Sequence, residues 1–360
     1  MSLNYTCFRS LLLVFVLLLV RPVLATDTDY IKAYHPLVHE AELLIINKDY
    51  AAALEKYKTA FAAVPEPFAR DYYNAAVCAT LSEDKKQTFD YLKQLALKGV
   101  DLAFVQKQKV FEPLYETKDW RKFEKKYPKY HRKYKRRTNQ EVRAELDELY
   151  YRDRKYRFAE GGLRVYADTL RKIEDENVDM LLRTIARHGF PGEKLIGAGA
   201  AMEQLPRFSI VIERQTTAKK GFDFTPLLQE AVQQGNLTPQ AAAYLMEAQA
   251  GNRKYKTIAL VKVACTNPKD CEGPKKLKLL DKYLVERLST REEDKVNTLR
   301  ASLGLEPLID YRKKVLYSLQ DNRFMLASNW SVKNYVVPSK EAAKVLTDGF
   351  IVAETALASE

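Results

Sequence analysis

Residues 35–65 run HPLVHEAELLIINKDYAAALEKYKTAFAAVP, and the spacing within them decides the fold class. Leu37, Ala41 and Leu44 share one face of a first helix, and Ala53, Tyr57 and Ala60 share one face of a second. Asn47-Lys48-Asp49-Tyr50 supplies the turn between them and Pro65 the stop. An alanine on each helix lets two backbones approach closely, while a large neighbour fills the space beside the crossing. The segment therefore predicts an antiparallel helical hairpin. A second copy follows, with Tyr72 or Tyr73, Ala76 and Ala79 on one helix and Thr88, Leu92 and Leu95 on the next. Leu92 lies 35 residues after Tyr57, and Leu95 lies 35 after Ala60, a period typical of stacked helical repeats.

This pattern resembles the tetratricopeptide repeat. The second copy departs from it, carrying Thr88 where alanine is usual and ending at Gly99 without a proline. Two hairpins cannot bury their own stacking faces. Phe104, Phe111, Leu114, Trp120 and Phe123 recur at helical intervals and are expected to cap them, giving a unit over residues 26–123. The resemblance implies a concave groove for an extended or helical peptide. Tyr34, Tyr50, Tyr57, Tyr72 and Tyr73 belong either to that groove or to the core.

Upstream, Arg9 precedes an unbroken apolar run from Leu11 to Val20, and Val23-Leu24-Ala25 places small residues where a signal peptidase cuts. Ten apolar residues are too few to span a bilayer core, which needs about 20 in a helix. Residues 1–25 are thus expected to be a cleaved leader, and the mature chain an exported protein of the periplasm or cell exterior without a membrane span. Cleavage lowers the formal charge from +12 to +10, because Arg9 and Arg21 leave with no acid. Export sets nucleic acid aside as a partner and leaves anionic glycan, lipid headgroups or protein. It also permits oxidation. Cys265 and Cys271 bracket the turn-forming Thr-Asn-Pro-Lys-Asp and are expected to form a local disulfide, while Cys78, in an apolar helical run, is expected to be an inert buried thiol.

Downstream, Lys118 to Arg137 holds eleven Lys or Arg residues interleaved with Tyr127, Tyr130, His131 and Tyr134. Such a run suits a solvated basic linker helix, placed at 124–140, or an anionic-polymer site through Lys129, Arg132, Lys133 and Arg136. A second helical domain over 141–312 opens with Val142, Leu146 and Leu149, breaks at Gly161-Gly162, and continues through Leu170, Ile173, Leu181 and Ile185 to a stop at Gly189 and Pro191. Thr225-Pro226 and Thr238-Pro239 each suggest an N-cap followed by a first-turn proline. Residues 257–265 are β-branched and apolar enough for a strand, which 324–329 or 335–337 pair with unless they lie as extended tail; 313–360 form a C-terminal extension. The fold class is mainly α, with short strands near the C-terminus.

Taken in order, Glu174 to Asn177, Gly189-Phe190-Pro191, Ile196-Gly197, Leu227-Leu228 with Ala231 and Gly235, Tyr255-Lys256-Thr257 and Leu303-Gly304-Leu305 through Tyr311 resemble a mainly helical bacterial domain family of unassigned function. The departures are Glu174 for that family's Asp, no His near Glu213-Arg214-Gln215, and Lys256 and Ile258 for its Gly and Gln. A polar site of that family would here lack its natural proton-transfer group.

Among four histidines, His35 and His39 have the i, i+4 spacing of paired ligands, with Glu40 and Glu42 nearby, but Pro36 belongs in a helix's first turn and leaves His35 outside it. No metal and no cofactor is therefore expected. Phosphate loops, nucleophile elbows and zinc-protease helices are absent from the sequence. The resulting expectation is a non-enzymatic interaction or scaffold protein of the envelope that binds a protein or peptide. The second reading is an enzyme, degenerate or active, drawing on Asp153, Glu174, Asn177, His188 or Glu213, and the third is anionic-glycan binding through 118–137.

Overall fold

The computed structural model describes residues 28–217, 220–267, 269 and 279–358; the expected leader and Cys271 lie outside them. The described chain is predominantly helical, with a small set of strands toward its C-terminal end. Helix α1 (His35–Ile46) pairs with α2 (Tyr50–Ala63), and α3 (Ala69–Leu81) with α4 (Lys85–Leu97). Ala41, Ala53, Tyr57 and Ala60 are wholly buried, as close helix crossing requires. The two hairpins also turn alike. Lys48 and Glu83 each take a left-handed φ, 61° and 60°. The aspartate that follows, Asp49 or Asp84, caps the next helix by accepting from the amide of Ala52 or Gln87.

Phe111, Leu114, Trp120 and Phe123 are buried over the second hairpin. The last two come from α5 (Lys118–Arg137), the basic helix, whose Trp120, Phe123, Tyr127 and Tyr134 form an apolar stripe packed toward α4. It is thus solvated on one side only. Tyr134 lies against Gly99 and Gly197, where an added β-carbon would come within 2.5 Å of its ring.

A second helical layer follows: α6 (Gln140–Arg157), α7 (Gly162–His188), a short helix Ser209–Arg214, α8 (Thr225–Gln233) and α9 (Pro239–Ala250). Thr238 caps α9 with Pro239 in its first turn, whereas Thr225 is already helical, its amide held by the Asp223 carboxylate. Strands β1 (Leu260–Cys265), β2 (Tyr283–Glu286), β3 (Val332–Val337) and β4 (Phe350–Val352) make one sheet in the order β3-β1-β2-β4. β1 runs parallel to β3, with Val263 opposite Tyr335, and antiparallel to β2. Helices α10 (Thr290–Ser302) and α11 (Leu308–Gln320) pack Val296, Leu308, Tyr311 and Val315 against the sheet, and α12 (Lys340–Thr347) adds Ala343 to a separate cluster with Val261 and Val263.

Residues 324–329 do not pair with β1. They cross the hairpins instead, where Phe324 stacks on Tyr50 at 5.7 Å and enters the same core with Leu326. Asn74 holds the Met325 backbone from both ends, its Oδ1 accepting from the amide at 2.8 Å and its Nδ2 donating to the carbonyl at 3.2 Å. Tyr73 donates to the Arg323 carbonyl at 2.9 Å.

The expected bridge between Cys265 and Cys271 lies outside the described residues through Cys271; no disulfide joins two described residues, and none enters the account of the fold. Cys78 is a buried free thiol. No helix among the described residues is long and apolar enough to cross a membrane.

Replacing Asn74 by Ala removes both hydrogen bonds to Met325 and leaves buried backbone groups unpaired, at a cost of about 2 kcal/mol. Urea unfolding is expected to show that loss, and limited trypsin digestion faster cleavage after Arg323. An unchanged cleavage rate would mean that the segment is held by other contacts.

Candidate functional site

His39 and Glu42 lie one turn apart on α1 and so share a face. Glu306 reaches them from the loop between α10 and α11, and the ligand-type atoms of the three residues all lie within 4.8 Å of one another. The loop is shaped by Gly304, at φ 78°, whose carbonyl lies 2.9 Å from His39 Nε2. A carbonyl only accepts, so Nε2 carries a proton and donates to it, and Nδ1 faces Glu42, Glu306 and Lys314. Arg300, wholly buried, fixes the loop from behind by donating to the carbonyls of Glu306 and Tyr255, both at 2.7 Å.

The space between the three donors holds the Lys314 ammonium, delivered by α11. Its Nζ lies 2.8 Å from Glu306 Oε1, 2.5 Å from Glu42 Oε2 and 3.4 Å from His39 Nδ1. Arg70 adds a contact to the other Glu42 oxygen at 3.0 Å and one to Asp71 at 3.2 Å, while Tyr34 donates to Asp71 at 2.6 Å. Burial alone would raise the Glu42 carboxyl, but Lys314 and Arg70 reverse this and hold it at about 2. Glu306 is likewise lowered against burial by Lys314, His39 and Arg300. Lys314 is raised, because the two carboxylates outweigh its own desolvation. Asp71 is raised, its burial outweighing Arg70. The cluster is a cation site with an ammonium in it.

A narrow crevice of about 10 Å³, with room for little more than one water molecule, lies over this cluster, lined by His35, His39, Asp71, Gln240 and Glu306 among others. Two of its buried polar atoms, His35 Nε2 and Gln240 Oε1, have no hydrogen-bond partner. An unpaired polar atom in such a place costs about 1–3 kcal/mol. Burial and the neighbouring His39 hold the His35 imidazole well below its usual range, so it is neutral there. The crevice thus offers an acceptor and a neutral imidazole beside a caged cation.

These residues correct the expectation that catalysis is absent. His39, set aside as a ligand on sequence grounds, belongs to a donor cluster able to hold a metal ion. Pro36 does occupy the first turn, but α1 starts at His35 itself, whose ring stacks 6.4 Å from that of His39. The ligand partners of His39 are carboxylates, not His35. Glu306 and Lys314 were missed, and Glu42, noted beside the histidines, was set aside with them. The signal for Glu306 and Lys314 is a charge at an apolar position, Glu306 between Leu305 and Pro307 and Lys314 on the helical stripe of Leu308, Tyr311 and Val315.

The residues named for the second reading gather elsewhere. Arg157 links Asp153 at 2.8 Å to Glu174 at 2.6 Å, and Arg214 approaches Asp153 at 3.4 Å. Burial, with Asp153 nearby, raises Glu213, Arg214 opposing. Asn177, one turn beyond Glu174, donates to the Leu149 carbonyl. His188 is exposed at the end of α7 and stands apart. Beside Glu174 and Arg214 lies an open cleft of about 760 Å³, where Glu174 is tied up by Arg157 while Asp175 and Asp179 are exposed without an ion pair among the described residues. Of the tyrosines, Tyr57 and Tyr73 are core, Tyr72 is half-buried, and Tyr50 sits under Phe324. Lys129, Arg132, Lys133 and Arg136 are exposed on α5.

The Glu42 shift carries a sign. A carboxyl held at about 2 against an ordinary 4.5 contributes stability that is full above pH 4.5 and is lost as pH falls toward 2, about 3 kcal/mol in all. Acid unfolding followed by circular dichroism should show that loss in the wild-type chain. Glu42→Gln should be less stable at neutral pH by about 3 kcal/mol and show a shallower acid slope. Equal slopes would place the titration elsewhere.

Compared with known proteins, the chain matches no family model, no curated protein and no solved structure.

Proposed function

We propose that the chain is an enzyme of the cell envelope with a divalent-cation centre at His39, Glu42 and Glu306. The observation that carries this reading is the convergence of three ligand-type atoms within 4.8 Å, beneath a crevice with two unpartnered polar atoms. An imidazole with two carboxylates is a common donor set for a hydrolytic metal, which polarises a carbonyl and lowers the pKa of bound water. Here Lys314 competes for the site. Its ammonium neutralises the carboxylates while no metal is bound, and a divalent ion has to displace it. Export rests on the leader-like residues 1–25.

A tetratricopeptide-like scaffold is the second reading, favoured by the 35-residue recurrence of the capped turn at Asp49 and Asp84. In it the hairpins present a partner peptide. The chain's own residues 323–326 contact Tyr50, Tyr73 and Asn74, so a peptide docking there competes with them. This weighs toward the enzyme.

The test uses Lys314→Met. Removing the ammonium takes away the cation between two buried carboxylates, leaving Arg70 on one and Arg300 near the other, and is expected to destabilise by about 3 kcal/mol. Added Zn²⁺ or Mn²⁺ should then restore the melting temperature, as any ligand of the folded state does. Calorimetry should detect one site, weaker in the wild-type chain and lost in Lys314→Met combined with Glu306→Gln. A folded Lys314→Met chain that neither ion stabilises would sink the proposal.

A further inference from the structure

Apart from that centre, the helices α4 and α5 border a groove of about 560 Å³. Lys85, Lys86 and Lys93 line it from α4, and Lys122 and Lys126 from α5, against only two acids, Asp90 and Asp119. Spacings of four residues along each helix put these side chains on facing stripes. Lys86 approaches Asp90 at 3.9 Å. Lys85, Lys93, Lys122 and Lys126 have no ion-pair partner among the described residues. Aromatic rings lie between the lysines: Phe89 is 6.0 Å from Phe123, which is 6.4 Å from Tyr130, and Phe89 and Tyr130 are half-buried and keep part of their surface open.

We infer that this groove binds an anionic polysaccharide. Four unpaired ammonium groups in a concave site concentrate positive potential and attract a polyanion. The partly open rings offer flat apolar faces to sugar rings, as stacking surfaces do for other planar groups. Its concave shape fits an extended chain better than a flat bilayer, and none of the large exposed apolar side chains lies on these two helices. The leader-like residues 1–25 direct the chain away from nucleic acid. What distinguishes this surface from the whole basic run of α5 is the contribution of α4: Lys129, Arg132, Lys133 and Arg136 are exposed but do not line the groove.

The test compares two charge-matched variants of the full chain, each checked by circular dichroism for an unchanged fold. One carries Lys85→Gln, Lys93→Gln, Lys122→Gln and Lys126→Gln, and the other Lys129→Gln, Arg132→Gln, Lys133→Gln and Arg136→Gln. Heparin is the probe, with dextran, polyglutamate and oligothymidylate as comparisons at about 0.15 M salt. The groove variant is expected to bind heparin about tenfold more weakly, the control variant no more than about twofold, and dextran not at all. Equal losses in the two variants would reduce the effect to diffuse attraction and overturn the site. Polyglutamate or oligothymidylate binding as tightly as heparin would overturn the choice of occupant.

Discussion

The structure depends on one buried ion network, Lys314 held between Glu42 and Glu306 with Arg70 and Arg300 at its edges. Taking such charges out of water costs several kcal/mol each, and only close pairing with good geometry offsets the penalty. Glu42 lies in the first hairpin and Lys314 is 272 residues later, so the pairing forms only when the two ends of the described chain meet. Breaking it leaves a naked charge in the interior. The hairpins and the C-terminal helices are therefore one mechanical unit at this point. The same geometry that holds the fold together also gathers the donors of the candidate centre.

A second tie reinforces the first. The stretch after α11 lies across the hairpins, its backbone held by Asn74 and its Phe324 on Tyr50. A hairpin surface that could take up a partner peptide is in this way covered from within. The covering segment leads directly into β3, so the sheet is positioned relative to the hairpins by the same contact. Dislodging it would expose Tyr50 and Tyr73 and at the same time pull on the strand that pairs with β1.

The turn at Tyr255-Lys256-Thr257 has a local physical role. Lys256 takes φ 54°, a left-handed conformation in which glycine is unstrained and lysine is not. It is held there by an ion pair with Glu286 at 2.7 Å. Its neighbours Tyr255 and Thr257 donate to the buried Glu247 carboxylate, and the Tyr255 carbonyl accepts from Arg300. This turn is a support for the loop that carries Glu306, and its polar groups are used up in that role.

The hairpins were legible because their determinants are local: small residues at crossings, capping aspartates and a 35-residue period all sit within a few turns of one another. The Gly189 stop, the Thr238 cap and the strand within 257–265 follow from equally short-range rules. The sequence by itself determined the helices of the hairpins, the helices after Val142 and Thr238, the strand within 257–265 and their apolar faces, since backbone sterics and side-chain period act over a few residues; it did not mark β2, β4 or α12. Only the tertiary structure decided that Glu42, Glu306 and Lys314 meet, that Phe324 lies on the hairpins, and that α4 lends its lysines to α5. Those pairings join residues far apart in the chain, and burial of a charge is selected by the partner that arrives, which no local pattern specifies.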